Sequence, residues 1–327
     1  MMSTVQDAGR HGWQSLGIGP GGAMDPDALR LGNILVGNEP HEAGLEVTLI
    51  GPVLRFEQEA LIAVVGNGFA PSIADEQVPH GRAAWIGAGA ELNIGTSSSG
   101  CRAWIAVAGG IDVPAVLGSR STNLRAHFGG LDGRALRNGD PLPVGKPTRE
   151  SERLAQHLRR SGAAWAADHT GYARNIHAGA DLHGALRLIP GAEFPQLSEA
   201  SRGALFAKAF RVSARSDRMG YRLEGAELTL LNRREMSSEG VAWGAVQLPP
   251  DGHPIVLLAD RQTTGGYPVI GHIATADRSM LAQRKPGDEI RFSMTTLTEA
   301  RRAHLAHEHD VALAVRALRS QRTPGPA

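Results

Sequence analysis

The sequence predicts a mainly β protein built from two β-barrels in tandem, with a few short helices and a helix near the C-terminal end. Short apolar runs, broken by glycine, proline and aspartate, recur along most of the chain, as is typical of antiparallel barrels. The runs interpreted as strands include ALIAVVG, AELNIG, RAWIAVAGG, ALRLIPG, AFRVSA, AELTLL and PIVLLAD. They do not alternate with helical patterns, so an α/β fold is not expected.

Two parts of the chain resemble each other, which indicates a duplicated domain. RNGDPL at Asp140 and KPGDEIRF at Asp288 look like the same turn at the entry to a strand. Between the two parts lies the polar stretch KPTRESERLAQHLRRSGAAWAADHTGYARN, interpreted as a connection. The predicted division is a first barrel over residues 1–146, a connection over 147–183, a second barrel over 184–297, and a C-terminal helix and tail over 298–327.

The segment TEARRAHLAHEHDVALAVRALRSQ predicts a charged amphipathic helix. Its apolar positions include Leu305, Ala312 and Leu313. The same segment holds His304, His307 and His309, of which only the first two share a helix face. No carboxylate completes a ligand set, so no metal site is predicted.

The stretch GIGPGGAMD places Gly17, Gly19 and Gly22 at the G-x-G-x-x-G spacing of a dinucleotide-binding turn. Such a turn requires a buried strand before the first glycine, and the preceding QDAGRHGWQSL contains no apolar run. We therefore interpret the stretch as a tight glycine turn that leads into a helix, with Asp25 as its N-cap and Pro26 at its first position.

Length and composition exclude several classes of protein. A chain of 327 residues with 42% hydrophobic residues is long enough for two domains with cores of their own. With 34 Lys and Arg against 33 Asp and Glu, the net charge of +1 favours neither nucleic acid nor an anionic membrane as a partner. No apolar run is long enough to span a membrane. Cys101 is the single cysteine and no signal-peptide pattern is present, so a reducing, cytoplasmic location is expected.

Two polar clusters in the second half are candidates for a functional site. SARSDRMGYRLEG contains Asp217, Arg218, Tyr221 and Arg222, and its arginines either clamp an anion or pair with acids in a surface loop. In LLADRQTTGGYPVIG a strongly apolar strand ends in a run of polar side chains. A hairpin turn alone would explain the two glycines but not these polar side chains. This second cluster contributes Asp260, Arg261, Gln262, Thr263, Thr264 and Tyr267.

Gln247 follows an alternating strand between these clusters, where it either points into the mouth of the barrel or is a satisfied core residue. The first half also places polar residues at strand ends: Gln6, Asp7 and Arg10 in TVQDAGRHGW, and Ser119, Arg120, Ser121 and Thr122 in GSRST. Ser119 lacks the G-x-S-x-G elbow of serine hydrolases, and no P-loop for ATP is present.

Four segments taken together carry a resemblance to a known family. The four segments open with TVQDAGRHGWQSLGIGPGGAMD, AVAGGIDVPAVLGSRST, SARSDRMGYRLEG and PPDGHPIVLLADRQTTGGYPVIG. They follow one another in this order between about Thr4 and Phe292. The chain resembles the biotin-dependent carboxyltransferase-like family, also called the allophanate hydrolase subunit 2 family. The resemblance implies two cyclophilin-like barrels, and it makes GIGPGGAMD the signature turn of the family.

The resemblance also implies a function in an assembly. A chain of this kind without an attached carrier or carboxylase is expected to belong to a 5-oxoprolinase-type complex, whose components are designated A, B and C, and to be its C component. The expected partners are the cyclophilin-like B component and the A component, and the complex opens the lactam of 5-oxoproline to glutamate with ATP. This chain is expected to bind no cofactor, because ATP is used through the A component.

Two other functions are compatible with the same family. The first is a carboxyltransferase component acting on urea or another amide, with biotin bound between this chain and its partner. The sequence has no Met-Lys-Met carrier segment and no biotin-carboxylase portion, so other chains would have to supply both. The second is a non-enzymatic antagonist that binds a kinase-inhibiting partner.

Within the segments that match the family, we assign hypothetical roles by chemistry. Arg218 or Arg261 holds a substrate carboxylate or an oxyanion, Tyr221 and Gln247 orient the amide, and Asp260 holds an arginine or acts as a base. The predicted catalytic residues are Asp217, Arg218, Tyr221, Asp260 and Arg261. The predicted substrate-binding residues are Arg222, Gln247, Gln262, Thr263, Thr264 and Tyr267. In the alternative interpretation, Asp260 and Arg261 only stabilise their loop.

Overall fold

The structure is a computed structural model, and it describes residues 2–74, 76–161, 184–232 and 236–320. The chain divides into two compact units. The first unit comprises Met1–Gly9, Asp25–Ala180 and His309–Ala327, and the second comprises Arg10–Met24 and Asp181–Glu308. The glycine-rich segment Arg10–Met24, which the sequence analysis placed in the first domain, therefore belongs to the second unit.

The described residues of the first unit form two antiparallel sheets. Its strands are β1 (Met2–Gln6), β2 (Gly44–Thr48), β3 (Val53–Arg55), β4 (Ala60–Gly66), β5 (Ser72–Ile73), β6 (Glu76–Gln77), β7 (Ala83–Ile86), β8 (Glu91–Asn93) and β9 (Arg102–Val107). A five-stranded sheet has the order β1-β2-β9-β4-β7, and a four-stranded sheet has the order β3-β8-β5-β6. The predicted strand ALIAVVG coincides with β4.

Alternating side chains on the strands of the first unit build its core. One face of the five-stranded sheet contributes Val47, Ile62 and Ile105 to a cluster that also includes Leu92 of β8. Strand β8 is exposed at its first and last residues and buried at Leu92, as expected for a strand with one face toward a core.

Helix α1 (Pro26–Leu35) packs against β4 and β9 of the first unit. The Asp25 carboxylate accepts a hydrogen bond from the Ala28 N–H at 3.1 Å, and Pro26 occupies the first turn, so the predicted cap is confirmed. Gly32 lies so close to Trp104 that a Cβ at this position would be 2.6 Å from the indole. The central strands of this sheet are therefore buried on both faces.

Helix α2 (Arg149–Ser161) lies in the segment that is interpreted from the sequence as a polar connection. Residues that favour a helix are present at its start, because Thr148 Oγ1 accepts the Ser151 N–H at 3.1 Å in the manner of an N-cap. Acidic residues occupy the first turn and arginines the last, which suits the helix dipole. Residues 162–183 of the predicted connection lie outside the described residues.

The second unit is organised around one eight-stranded sheet. The strands of this unit, of which β13 and β16 lie outside that sheet, are β10 (Leu186–Pro190), β11 (Phe210–Val212), β12 (Gly220–Glu224), β13 (Glu239–Gly240), β14 (Ala245–Gln247), β15 (Ile255–Leu257), β16 (Thr264–Gly265), β17 (Val269–Ile273), β18 (Glu289–Ile290) and β19 (Phe292–Met294). The order is β18-β11-β12-β15-β14-β17-β10-β19. Arg291 alone separates the two outermost strands, so the edges of the sheet come together and form a nearly closed barrel.

Helices α3 (Glu199–Ala207) and α4 (Arg278–Ala282) and the small ribbon of β13 and β16 also belong to this unit. Its core includes Phe210, Val246, Val256 and Phe292. The mainly β fold class predicted from the sequence is thus confirmed.

One predicted strand, AELTLL, was wrong. The segment runs beside the loops of the second unit, where the Leu228 N–H donates to the Gly252 carbonyl and the Leu231 N–H donates to the Gln196 carbonyl. The Thr229 N–H is taken by the Ser201 hydroxyl. Its backbone groups therefore form hydrogen bonds with loops and a side chain and not with a neighbouring strand. An alternating apolar pattern does not distinguish these two kinds of backbone partner.

The repeated turn found in the sequence is confirmed in both units. The Arg137 N–H donates to the Asp140 carboxylate at 2.7 Å, and the Lys285 N–H donates to the Asp288 carboxylate at 2.9 Å. In each turn the backbone N–H of the aspartate donates in return to the carbonyl of the same residue, Arg137 for Asp140 and Lys285 for Asp288. Asp288 leads directly into β18, whereas Asp140 is not followed by a described strand.

Helix α5 (Leu297–Ser320) confirms the predicted amphipathic segment, but the predicted apolar positions were partly wrong. Leu305 is 59% exposed and Ala312 is exposed, whereas Ala300, Val311 and Ala314 are buried. Helical spacing identifies a stripe, and small residues on that stripe pack where the larger leucine does not. Within the described ranges, every helix is too short or too polar to cross a lipid bilayer.

The turn at Asp140 predicts a measurable pH dependence. The guanidinium of Arg134, and after it the N–H of Arg137, lower the pKa of Asp140 from 3.8 to about 2. A lowered folded-state pKa contributes stability that is complete above the unfolded-state value of about 4 and is lost as the pH falls toward 2. The difference in urea midpoint between wild type and Asp140→Asn should therefore shrink over this range. Asp112→Asn, which removes an exposed partner of Arg120, should change the midpoint little at any pH.

Candidate functional site

A buried ion pair joins the two polar clusters that the sequence analysis singled out. Arg218 Nε lies 2.8 Å from Asp260 Oδ2, and Arg218 Nη2 lies 3.1 Å from Asp260 Oδ1. The side chains of Arg218 and Asp260 are 3% and 11% exposed. This is the two-point geometry in which arginine binds a carboxylate most strongly.

Strands β12 and β15 bring these two residues together. Their ladder pairs Gly220 with Leu257 and continues beyond both strands, because the Leu258 N–H donates to the Met219 carbonyl and the Asp260 N–H to the Arg218 carbonyl. Arg218 and Asp260 therefore face each other at the same end of the barrel.

The glycine-rich segment Arg10–Met24 lies against this ion pair. Arg218 Nη2 donates to the Gly22 carbonyl at 2.6 Å, and the segment closes on itself through the Arg10 N–H and the Pro20 carbonyl at 2.7 Å. Gly21 and Gly22 have positive φ values of 62° and 89°, which glycine adopts without strain. The opening glycine pattern is thus a turn on the second barrel, and the structure shows the 3₁₀ helix Gln14–Leu16 where a dinucleotide fold requires a strand.

Gly19 lies at a close contact between two stretches of backbone. A Cβ at position 19 would lie 2.8 Å from the Arg261 carbonyl oxygen. The backbone of the glycine-rich segment therefore touches the loop that follows β15, and only a residue without a side chain permits this approach.

Gln247 presents a buried amide in the same unit. It is 1% exposed and lies at a β-bulge, where the pairing with β17 shifts register after Val246. Gln262 Nε2 is 3.5 Å from Gln247 Oε1, whereas Gln247 Nε2 has no hydrogen-bond partner among the described residues. A Cβ on Gly265 would be 2.5 Å from that nitrogen. A buried donor without a partner is costly, so it marks a position where a ligand carbonyl would be favourable.

Arg261 is half-buried and differs from Arg218 in its partners. Its Nε donates to the Val241 carbonyl at 3.2 Å and its Nη1 donates to the Leu258 carbonyl at 3.3 Å. Among the described residues no carboxylate lies within ion-pair distance of this guanidinium. Burial, and after it the positive charge of Arg278, lowers the pKa of Arg261. An anionic ligand would offset both effects.

Several residues named from the sequence lie elsewhere. Tyr221 is 2% exposed and donates its hydroxyl to the Arg284 carbonyl at 2.8 Å within the core. Asp217 is exposed and accepts the Met219 N–H at 2.8 Å, which makes it a turn residue. Arg222 and Tyr267 are exposed.

The two threonines of the second cluster form hydrogen bonds through their backbone. Thr264 belongs to β16 and pairs with Gly240, and the Thr263 carbonyl accepts the Val241 N–H at 3.0 Å. The residues that the structure brings to the ion pair and the glycine-rich segment are Arg218, Asp260 and Arg261, with Gln247 and Gln262 forming an amide pair.

The geometry changes the roles expected for Arg218 and Asp260. The Asp260 carboxylate uses both oxygens to hold Arg218, and Arg218 in turn holds the Gly22 carbonyl. Of the two functions considered for Asp260, holding an arginine is therefore favoured over acting as a base. Of the two arginines considered for an anion, the partners of Arg261 leave it the better candidate.

The first unit has a polar network of its own. Asp7 Oδ1 accepts the hydroxyls of Ser119 at 2.6 Å and Ser121 at 2.5 Å, and its Oδ2 accepts the Arg120 N–H at 2.6 Å. Gln6 is buried and donates to Thr122. Ser119 is committed to the carboxylate as a hydrogen-bond donor, which fits a structural role in fixing this loop.

Some features of the site were missed in the sequence. The placement of Arg10 and of the glycine-rich segment on the second unit depends on contacts with residues about 200 positions away, as between Gly22 and Arg218. Trp243 and Arg278, which stack with the Arg278 Cζ 4.5 Å from the ring centroid, also carry no local signal. His304, His307 and His309 lie along α5, and the described part of the chain holds no group of three potential metal-ligating side chains.

The chain belongs to the family described as carboxyltransferase domain, subdomain A and B, whose sequence model matches residues 16–294. This confirms the resemblance carried by the four sequence segments. The match includes the glycine-rich turn from Leu16 onward, both polar clusters and Gln247.

Individual relatives agree with this assignment. The chain is 41% identical to the C component of 5-oxoprolinase from Escherichia coli (strain K12), over 93% of this chain and 91% of that protein. It is 30% identical to urea amidolyase of Saccharomyces cerevisiae over 95% of this chain, which spans only 17% of that protein. The crystal structure of Kluyveromyces lactis urea carboxylase superposes with a TM-score of 0.80 at 25% identity, covering 100% of this chain and 29% of that chain.

The buried ion pair predicts a large loss of stability when one partner is removed. Asp260→Ala leaves the Arg218 guanidinium buried without its carboxylate, which should lower the free energy of unfolding by about 3 to 5 kcal/mol. Chemical unfolding monitored by circular dichroism measures this change. Glu289→Ala removes the carboxylate of an exposed pair with Arg291 in the same unit and should cost less than about 1 kcal/mol. Equal losses in the two variants would contradict the importance assigned to the buried pair.

The contact at Gly19 predicts a separate effect. Gly19→Ala forces the Arg261 carbonyl and the glycine-rich segment apart, so the free energy of unfolding should fall by about 1 to 3 kcal/mol. Gly203→Ala is the matched control, because it lies in α3 with no atom within 4 Å of the added Cβ. That substitution should stabilise the protein by about 0.5 to 1 kcal/mol. Thermal unfolding of the two variants would contradict the close approach if both were stabilised.

Proposed function

We propose that the chain is the C component of a 5-oxoprolinase-type complex, which hydrolyses 5-oxoproline to glutamate with ATP, together with the A and B components. The observation that carries this proposal is the match to the C component of the Escherichia coli 5-oxoprolinase, which extends over nearly all of both chains. The urea amidolyase of Saccharomyces cerevisiae is a much longer protein, of which this chain spans 17%.

The site supports chemistry on an amide or lactam. The buried Gln247 Nε2 is suited to donate a hydrogen bond to the carbonyl oxygen of the substrate, and Gln262 holds the Gln247 oxygen. Arg261 is suited to meet negative charge on the substrate or on the oxyanion that forms during attack. The Arg218–Asp260 pair positions the glycine-rich segment beside them.

The chemistry is divided among the components of the complex. ATP is used by the complex through the A component, and this chain supplies binding and orientation. The cyclophilin-like B component is the expected direct partner, and closure by a partner would exclude water from polar groups at the end of the barrel. A cytoplasmic location follows from the same proposal.

A carboxyltransferase component is the second candidate, and the family match and the urea amidolyase relatives favour it. The Gln247 amide would serve the carbonyl of urea as well as that of a lactam. In this case other chains would supply the biotin carrier and the carboxylase. Carboxyl transfer from carboxybiotin to urea by the purified chain and its partner would support this alternative.

Reconstitution tests the primary proposal. The A and B components with this chain should release glutamate from 5-oxoproline in an ATP-dependent reaction, and leaving this chain out should abolish it. Glutamate is measured by a coupled dehydrogenase assay. Full activity without this chain would refute the proposal, and a stable complex without turnover would point to a binding antagonist.

A variant of the buried amide tests the site within that complex. Gln247→Leu removes the donor with little change in volume, so kcat should fall by roughly a hundredfold, as for loss of one oxyanion donor. Gln283→Leu replaces another buried glutamine of the same unit and serves as the control for folding and assembly. Unchanged turnover in Gln247→Leu would remove this residue from the site.

A further inference from the structure

Two strands of the first unit have a neighbouring strand on one side only. Among the described residues, β7 (Ala83–Ile86) is the last strand of its sheet and pairs with β4 alone. Strand β6 (Glu76–Gln77) is the last strand of the other sheet and pairs with β5 alone. The backbone groups along such an edge are able to pair with a further strand, including one from another chain.

A cavity lies between these two strand edges. Its volume is about 130 Å³, and the side chains that line it include Ile73, Glu76, Val78, Ala84, Trp85 and Ile86. Glu76 is exposed and Trp85 is half-buried, so the cavity reaches the surface of the first unit. An apolar cavity of roughly 150 Å³ holds one benzene molecule, so this cavity has room for a single side chain.

One carboxylate beside the cavity has no opposite charge bound to it. Arg159 of α2 stacks on Trp85, with its Cζ 4.2 Å from the ring centroid, and Glu59 forms an ion pair with that arginine. The charges of Arg159 and Glu59 therefore compensate each other. No Lys, Arg or His among the described residues forms an ion pair with Glu76. The cavity thus combines apolar walls with one uncompensated negative charge at its surface.

We propose that the cavity and the edge of β7 bind an extended segment of the B component, with one lysine side chain of that segment inserted in the cavity. This inference rests on the proposed function, which supplies the partner, and it adds a surface on which that partner binds. The methylenes of the lysine would pack against Trp85 and Ile86, and its ammonium would meet Glu76. Because a guanidinium already lies on Trp85, the slimmer lysine is a better occupant than arginine.

The backbone of the same segment would pair with the free edge of β7. Addition of a strand to a sheet edge gives affinity through main-chain hydrogen bonds, and a pocket for one side chain gives specificity. Both features are present here, because the residues of β7 supply the edge and also line the cavity.

Cross-linking tests the contact between Glu76 and a lysine directly. A water-soluble carbodiimide joins a carboxylate to an amine that touches it. In the complex of the full-length chain with the B component, mass spectrometry should identify a cross-link between Glu76 and a lysine of the B component. Glu91, an exposed carboxylate on β8 of the same unit, is the matched control and should form none. Absence of the Glu76 cross-link in the assembled complex would contradict the proposed contact.

Two variants test the charge and the space separately. Glu76→Lys reverses the charge, and Gly87→Leu fills the cavity from its lining, because a Cβ at position 87 meets no atom within 4 Å. Each should weaken binding of the B component, measured by calorimetry, roughly tenfold to a hundredfold. Glu91→Lys and Gly203→Leu add the same side chains at exposed positions outside the cavity lining and should bind as the wild type does.

Thermal unfolding identifies which variants are folded, and only these are compared. Wild-type affinity in either folded variant of the cavity, or no binding of the B component by the wild type, would overturn the inference. ATP-dependent release of glutamate together with wild-type affinity in both variants would reject this surface and leave the proposed function standing. Binding that both variants weaken, without turnover of 5-oxoproline, would uphold the surface and reject the 5-oxoprolinase function.

Discussion

The bidentate pair between Arg218 and Asp260 is the interaction on which the candidate site depends. It joins two loops at the ends of β12 and β15, and the same guanidinium holds the Gly22 carbonyl at 2.6 Å. Burying two charges costs solvation free energy, which only good geometry and further hydrogen bonds offset. Here both conditions are met, so one arginine fixes the loop after β15 and the glycine-rich segment together.

This arrangement also decides where Arg261 lies. Because Asp260 serves Arg218, the guanidinium of the neighbouring Arg261 is directed to the Val241 and Leu258 carbonyls. The buried Gln247 amide adds a neutral donor in the same unit. A carbonyl and a negative charge on one small molecule would satisfy these groups, which fits the chemistry of a lactam acid better than that of urea.

Local patterns predicted much of this protein. The strand ALIAVVG, the Asp25 cap and the repeated aspartate turn follow from propensities within a few residues, and the structure confirms them. The strand prediction for AELTLL was wrong because an alternating pattern indicates which side chains are buried and does not indicate which groups the backbone binds through hydrogen bonds. In the site, Arg218, Asp260 and Arg261 follow from polar residues at strand ends, whereas Tyr221 has a hydroxyl that is used in the core. Contacts such as that of Gly22 with Arg218 span nearly 200 residues, so no local pattern encodes them.

The central claim is that Arg218 and Asp260 hold the glycine-rich segment in place. Hydrogen exchange of the Arg10 amide, which donates to the Pro20 carbonyl within that segment, tests it most directly. In Asp260→Asn this amide should exchange at least roughly tenfold faster than in the wild type, while amides of β14 in the barrel keep their protection. If the Arg10 amide exchanged at the wild-type rate in a folded Asp260→Asn variant, the segment would be held by other contacts and the account would be contradicted.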